Sequence, residues 1–386
     1  MKLQGDALRG RLEPLFRQNF EQFDELGAAI SVWQNGESIL DLYGGYRDAR
    51  REVAWTNDTI VLIWSATKGI ASVCLLHVLQ ENHLDLDKPV ARFWPEFAQA
   101  GKEAINLAQL LSHQAGLAAL DREVDILNYD AVIEALEKQR PNWPPGTAHG
   151  YHARTFGFLV DELVRRIAGC PLGTYFRKNF GEPLGLDLWI GLPEEHNAQV
   201  ATMYASKMGR RPEPEAFYRD VAKSGTFASK VFNSPRGLEA VSAMNKPEIR
   251  AVPIASFGAI GSARSVAKFY ALLANGGELE DRRFFSPATI EWMTTTLVDS
   301  ADLVFQIPTA FSAGLMKDAS FTRHRMFGPS QSSFGHPGAG GSNAFADPEN
   351  NIAFAYVMNQ MQQNVLPNEK SLRLVDAIYA SGITHQ

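Results

Sequence analysis

Cysteine is scarce: Cys74 and Cys170 are the only two in 386 residues. That excludes a disulfide-dense scaffold, and the pair has no metal-site spacing. Cys74 falls inside an apolar helical run and reads as a small core residue. No apolar run approaches the roughly 20 residues that span a bilayer. The opening residues, MKLQGD, lack the apolar stretch of a secretory signal, so a cytoplasmic, reduced protein is expected. Basic charge is not in excess. The formal net charge is −6 and no block of like charge stands out, which argues against nucleic-acid or anionic-membrane partners. Internal repeats and low-complexity tracts are absent.

What is present is an ordinary globular composition. The chain is 45% hydrophobic and 21% charged, with length enough for a large core and one or two domains. Residues 7–25 repeat apolar side chains at three and four and predict a helix. Two strands are expected over 27–36 and 37–44, around the Asn35-Gly36 turn. A short helix is predicted within 105–117 and longer ones over 130–139 and 155–168. From 203 to 252 the pattern weakens, with breakers at 210–215 and 233–237, and reads as a lid-like excursion or pocket wall. Helices return over 263–274 and around 287–295. Strands are expected over 309–315, 342–346 and 352–358, the last a near-continuous apolar run like a central strand. A helix over 371–380 closes the chain. Strands at both ends and helices between predict a discontinuous α/β domain, 1–64 with 253–386, and a mostly helical domain over 65–252.

The chain is organised around residues 63–69, IWSATKG. An apolar run leads in and a helical run leads out, so Ser65 stands in the first helical turn. Lys68, three residues on, projects from the same face. A serine needs a base to become a nucleophile. A lysine is that base only where its surroundings disfavour the ammonium, and Ile63, Trp64 and Ile70 supply an apolar setting. Free N–H groups at a helix start favour developing negative charge. About one S-x-x-K match is expected by chance in such a chain. A second, Ser265 with Lys268, falls beside an apolar stripe and reads as a solvated face.

Tyr151 follows the rigid loop 141–147 and precedes a helix. A phenol beside a lysine ammonium acts as a base, or relays the proton between Ser65, Lys68 and a leaving group; the bland reading is a packing tyrosine. Residues 335–342, GHPGAGGS, are glycine-dense, and glycine lets backbone lie close to a ligand. A strand edge there is expected to present the Ala339 N–H to an oxyanion, with the Ser65 N–H as second donor. Pro337 has no N–H to offer. Residues 340–344 nearly match a nucleophile elbow, but the last glycine is Ala344 and no strand–turn–helix follows, so Ser342 is discounted.

Together, Ser65-x-x-Lys68, Tyr151 five residues after Gly146, and His336-x-Gly338 resemble serine β-lactamases and penicillin-binding proteins. More narrowly they resemble the class C β-lactamase-like esterases called family VIII carboxylesterases. Supporting stretches are 110–117 (LLSHQAGL), 275–279 (NGGEL) with 285–287 (FSP), 334–342 (FGHPGAGGS) with 346–348 (ADP), and 356–359 (YVMN). The resemblance implies a central antiparallel sheet flanked by helices, plus the helical insertion. It implies a nucleophilic Ser65, a base role shared by Lys68 and Tyr151, and an oxyanion hole from the Ser65 and Ala339 N–H groups. His336 and Gly338 would then touch substrate, and an acyl-enzyme would be hydrolysed by water without cofactor or metal.

Two positions depart from class C β-lactamases. The asparagine two residues after the tyrosine is Ala153 here, and the lysine of the third motif is His336. An amide and a cation that help hold a β-lactam and its carboxylate are missing, and a neutral histidine does not replace a permanent charge. The expected substrate is therefore a small uncharged ester. A β-lactamase, D-amino-acid peptidase or small-amide hydrolase of the same fold is the alternative, and a non-catalytic binding protein the third reading.

Overall fold

The computed structural model describes residues 2–207, 215–320 and 325–382. In chain order the strands are β1 (Gly27–Gln34), β2 (Glu37–Gly45), β3 (Val61–Leu62), β4 (Leu188–Trp189), β5 (Ile260–Gly261), β6 (Glu278–Leu279) and β7 (Arg282–Arg283). They continue with β8 (Val298–Ala301), β9 (Pro308–Phe311), β10 (Met316–Lys317), β11 (Phe334–Gly335), β12 (Asn343–Asp347) and β13 (Ile352–Met358). Eight of them form one sheet in the order β2-β1-β13-β12-β11-β10-β9-β8, antiparallel throughout. Both chain ends meet there: Ala28 pairs with Met358 and Gln34 with Ile352.

The apolar run of β13 is buried on both faces, as its composition predicts. Its two faces do different packing. Ala353, Ala355 and Val357 share one core with Ala29, Ala344 and Ala346, and the small side chains let the helix Ala263–Ala274 lie close across β13 and β1. Ile352, Phe354, Tyr356 and Met358 face a second core with Leu8, Leu12, Phe16, Leu374 and Ile378. Those come from the first helix, Lys2–Gln22, and the last, Glu369–Tyr379, which pack together. The predicted strand over 309–315 divides, because Gly314 takes φ +83° in a turn between β9 and β10.

Between the two halves of the sheet run the helices Thr67–Glu81, Leu107–Leu111, Tyr129–Lys138 and Thr155–Ala168. The small sheet β3-β5-β4 ties this stretch to the chain just before the helix Ala263–Ala274. The first of these helices, Thr67–Glu81, is buried from Thr67 through Leu79, so its apolar residues surround it rather than marking a stripe. The weakly patterned excursion folds into short helices, Glu215–Ala222, Phe227–Phe232 and Pro247–Arg250. Its predicted breaker at 210–215 lies outside the described residues up to 214. No described helix is long and apolar enough to cross a membrane.

The connection after the first helix is joined to the last helix under β13 by charge. Glu25 and Lys370 pair at 2.6 Å with both side chains fully buried. The Tyr356 hydroxyl also donates to Glu25, and Asn19 donates to the Lys370 carbonyl at 3.2 Å. Removing one partner strands the other charge in the core. Lys370→Met is expected to cost about 3–5 kcal/mol. A urea titration should show a lower midpoint at unchanged slope.

Candidate active site

Trp64–Ala66 make one 3-10 turn that runs into the helix Thr67–Glu81. Trp64 has φ +51°, rare for a bulky side chain. Three hydrogen bonds hold it there. The Ile63 N–H donates to the Ala259 carbonyl at 2.9 Å, the Thr67 hydroxyl to the Trp64 carbonyl at 2.6 Å, and the Ala259 N–H to Thr67 Oγ1 at 2.9 Å. The sharp turn leaves Ser65 half-buried at the helix start, where N–H groups lack intrahelical acceptors.

Lys68 lies one turn on, fully buried. Its Nζ donates to Ser65 Oγ at 3.2 Å and to the Ser256 carbonyl at 2.8 Å. No ion pair to it is found among the described residues, and burial alone holds its pKa well below 10.5. Ser256 is itself fixed by the helix Thr155–Ala168. Its Oγ accepts the Gly157 N–H at 2.9 Å and donates to the Arg154 carbonyl. A Cβ on Gly157 would stand 2.1 Å from the Ser256 nitrogen, so the close approach requires glycine.

Tyr151 reaches this pair from the loop before that helix. Its phenol faces Ser65. Its ring lies 4.9 Å from Lys68 Nζ, stacks on Phe305 at 4.7 Å, and has His113 and His336 at 5.2 and 5.9 Å. Burial pushes the phenol pKa up, and the neighbouring Ser65 hydroxyl opposes that. Asp302 anchors the segment: Oδ1 accepts N–H groups from Tyr151 at 3.2 Å, Val304 at 2.7 Å and Phe305 at 2.9 Å.

His336 is 1% exposed and adjoins Gly69, whose added Cβ would lie 3.2 Å from the His336 Cβ. Its Nδ1 donates to the Pro337 carbonyl at 2.8 Å, so Nε2 is a bare lone pair with no protein donor. Burial pushes its pKa down to about 3, leaving a neutral acceptor. Gly338 runs against the Ser65 turn: a Cβ there would stand 2.2 Å from the Ile63 carbonyl. Its N–H donates to the Ser342 carbonyl at 2.8 Å, so Gly338 closes a turn and has no free donor. Ala339 differs from the expected strand edge. Pairing of β11 stops at Gly335, and Ala339 sits in the following turn, half-buried, its N–H taken by no protein acceptor among the described residues.

The second S-x-x-K is not a solvated face. Ser265 is 6% exposed and its Oγ accepts the Asp187 N–H at 2.9 Å, while Lys268 donates to the Leu184 carbonyl at 2.7 Å and pairs with Glu280. The excursion supplies an aromatic wall: buried Phe217 packs edge-on to Phe305 at 5.2 Å, and Phe232 lies 6.4 Å from it. A cavity of about 220 Å³ adjoins that wall, lined by Tyr218, Ile307, Leu366 and Asn368 among others. No cluster of three His, Cys, Asp or Glu fit to hold a metal occurs among the described residues. Ser256, Asp302 and Phe305 escaped the sequence reading. The first contributes a main-chain carbonyl, the second a turn cap and the third a stacking face, none of which has a sequence signature.

The Beta-lactamase family model matches residues 16–377. Esterase/beta-lactamase LipL of Mycobacterium tuberculosis (strain ATCC 25618 / H37Rv) is 30% identical over 346 residues, 87% of this chain and 77% of that one. A penicillin-binding protein homologue from Caulobacter crescentus superposes with a TM-score of 0.86 at 37% identity, covering 98% of this chain and 97% of the other. A family VIII carboxylesterase superposes with a TM-score of 0.85 at 34% identity, covering 97% of each.

The Lys68 amine depends on the contact between Gly157 and Ser256. Gly157→Ala should lower the thermal midpoint and slow fluorophosphonate labelling of Ser65 by about 10²-fold, the cost of an ångström-scale misplacement. Mass spectrometry against time measures it.

Proposed function

For a chain that belongs to the Beta-lactamase family and is a serine hydrolase, we propose a carboxylesterase acting on small uncharged acyl esters through Ser65. The observation that supports this most is the Ser65–Lys68–Tyr151 cluster in a setting that removes charge from the amine. Lys68, neutral through burial, takes the Ser65 proton as Oγ attacks the ester carbonyl. The Ser65 and Ala339 N–H groups receive the developing oxyanion. Tyr151, whose phenol burial keeps protonated, gives its proton to the leaving alkoxide and takes one from the Lys68 ammonium. The alcohol departs and an acyl-Ser65 ester remains. Water then attacks that ester, losing its proton through the same pair, and the acid leaves.

An uncharged ester suits the site's chemistry. His336 offers a lone pair where a cation would attract a carboxylate, and Ala153, 5% exposed, has no amide to present. Phe305 and Phe217 give an apolar wall for a hydrocarbon group. LipL is named both esterase and β-lactamase, so amide substrates are the reading to be tested against esters.

Purified protein should hydrolyse p-nitrophenyl acetate and butyrate faster than nitrocefin or D-alanyl amides. Ser65→Ala should lose at least ~10³-fold in kcat/KM and the fluorophosphonate adduct. An active alanine variant, or nitrocefin as the preferred substrate, overturns the reading. The pH profile has a defined sign. The competent base is neutral Lys68, so kcat/KM rises with pH through a pKa well below 10.5 and is already flat at the ordinary lysine value. A limb centred at 10.5 would exclude Lys68 as the buried base.

A further inference from the structure

The 110–117 stretch has no role in the mechanism above, yet its histidine is built into the site. His113 is fully buried, follows the helix Leu107–Leu111, and holds φ +62°. It grips the chain on both sides of Tyr151. Its Nδ1 accepts the His152 N–H at 3.1 Å, and its carbonyl accepts the Gly150 N–H at 3.2 Å. The ring fills the space under the phenol, 5.2 Å from Tyr151 and 4.6 Å from both Phe156 and Phe311.

We infer that His113 is the positioning residue for Tyr151: it fixes the 150–152 segment so that the phenol meets both Ser65 and the leaving-group oxygen. The inference rests on the reading of Tyr151 as proton donor. An acceptor at Nδ1 requires the ring proton on Nε2. Burial keeps the ring neutral, so the Nδ1 lone pair stays available to the His152 N–H. A packing residue needs only the ring. The role proposed here needs the lone pair at the δ position, which separates two polar substitutions. Asparagine places an oxygen at that position and accepts a positive φ. Glutamine has its polar atoms one bond further out.

A leaving group that needs no proton separates positioning from general damage. p-Nitrophenolate departs unprotonated, whereas an ethoxide must receive the Tyr151 proton. The experiment compares kcat/KM for ethyl butyrate and p-nitrophenyl butyrate in the full chain, with thermal midpoints recorded for each variant. His113→Gln should lose about 10- to 100-fold on the ethyl ester and several-fold less on the nitrophenyl ester. His113→Asn, which keeps the δ acceptor but not the ring, should show a smaller ethyl-ester loss than His113→Gln. Tyr151→Phe should show the same selective loss, larger. Equal losses on the two esters in His113→Gln, or asparagine and glutamine behaving alike, overturn the His113 role. If Tyr151→Phe also treats the esters alike, the reading of Tyr151 falls with it. If Tyr151→Phe alone is selective, only the inference about His113 falls.

Discussion

An amine buried without a counter-ion is the constraint on which the site depends. Lys68 is enclosed by the helix Thr67–Glu81 and its neighbours, and its polar contacts are a hydroxyl and a carbonyl. A carboxylate in reach would restore the ammonium. The surroundings avoid that. His336 and His113 are held neutral beside it, and Tyr151 stays a phenol. Packing is arranged to the same end. Gly69 has no side chain because a Cβ there would stand 2.2 Å from the Tyr270 hydroxyl, so that tyrosine seals the helix against solvent.

Three separated stretches meet at that amine. The Ser65 turn is locked to Ala259 and the adjoining Lys68 to Ser256, the phenol segment to Asp302, and the glycine-dense turn lies against Ile63. The attachments to Ala259, Ser256 and Asp302 cross between the helical middle of the chain and its C-terminal third. The geometry of the reacting atoms therefore depends on how those two parts pack, and rigid elements on both sides favour a pre-formed site over one assembled on binding.

Much of this was legible in the residues. Strong periodicity located the helices Thr155–Ala168 and Ala263–Ala274, and an unbroken apolar run located β13, because burial leaves a pattern in composition. The meeting of Ser65 with Lys68 was legible because a three-residue spacing puts both on one helix face. Main-chain contributions were not. The Ser256 carbonyl is the same atom in every residue type, and the Asp302 cap has no fixed partner in sequence. The Ala339 turn was misread as strand because glycine-dense sequence specifies closeness without specifying a ladder. Ser265 was misread because a serine beside an apolar stripe looks the same whether it meets water or a backbone N–H.

The pairing of β1 with β13 has a consequence during synthesis. The β1–β2 hairpin is synthesised long before β13, the strand that covers its inner edge. Until then the hairpin presents a row of unpaired main-chain groups and an apolar face, the combination that invites association with other chains. The Glu25–Lys370 pair closes only after that strand arrives, so until then the nascent chain has its sheet open and the Glu25 carboxylate in water.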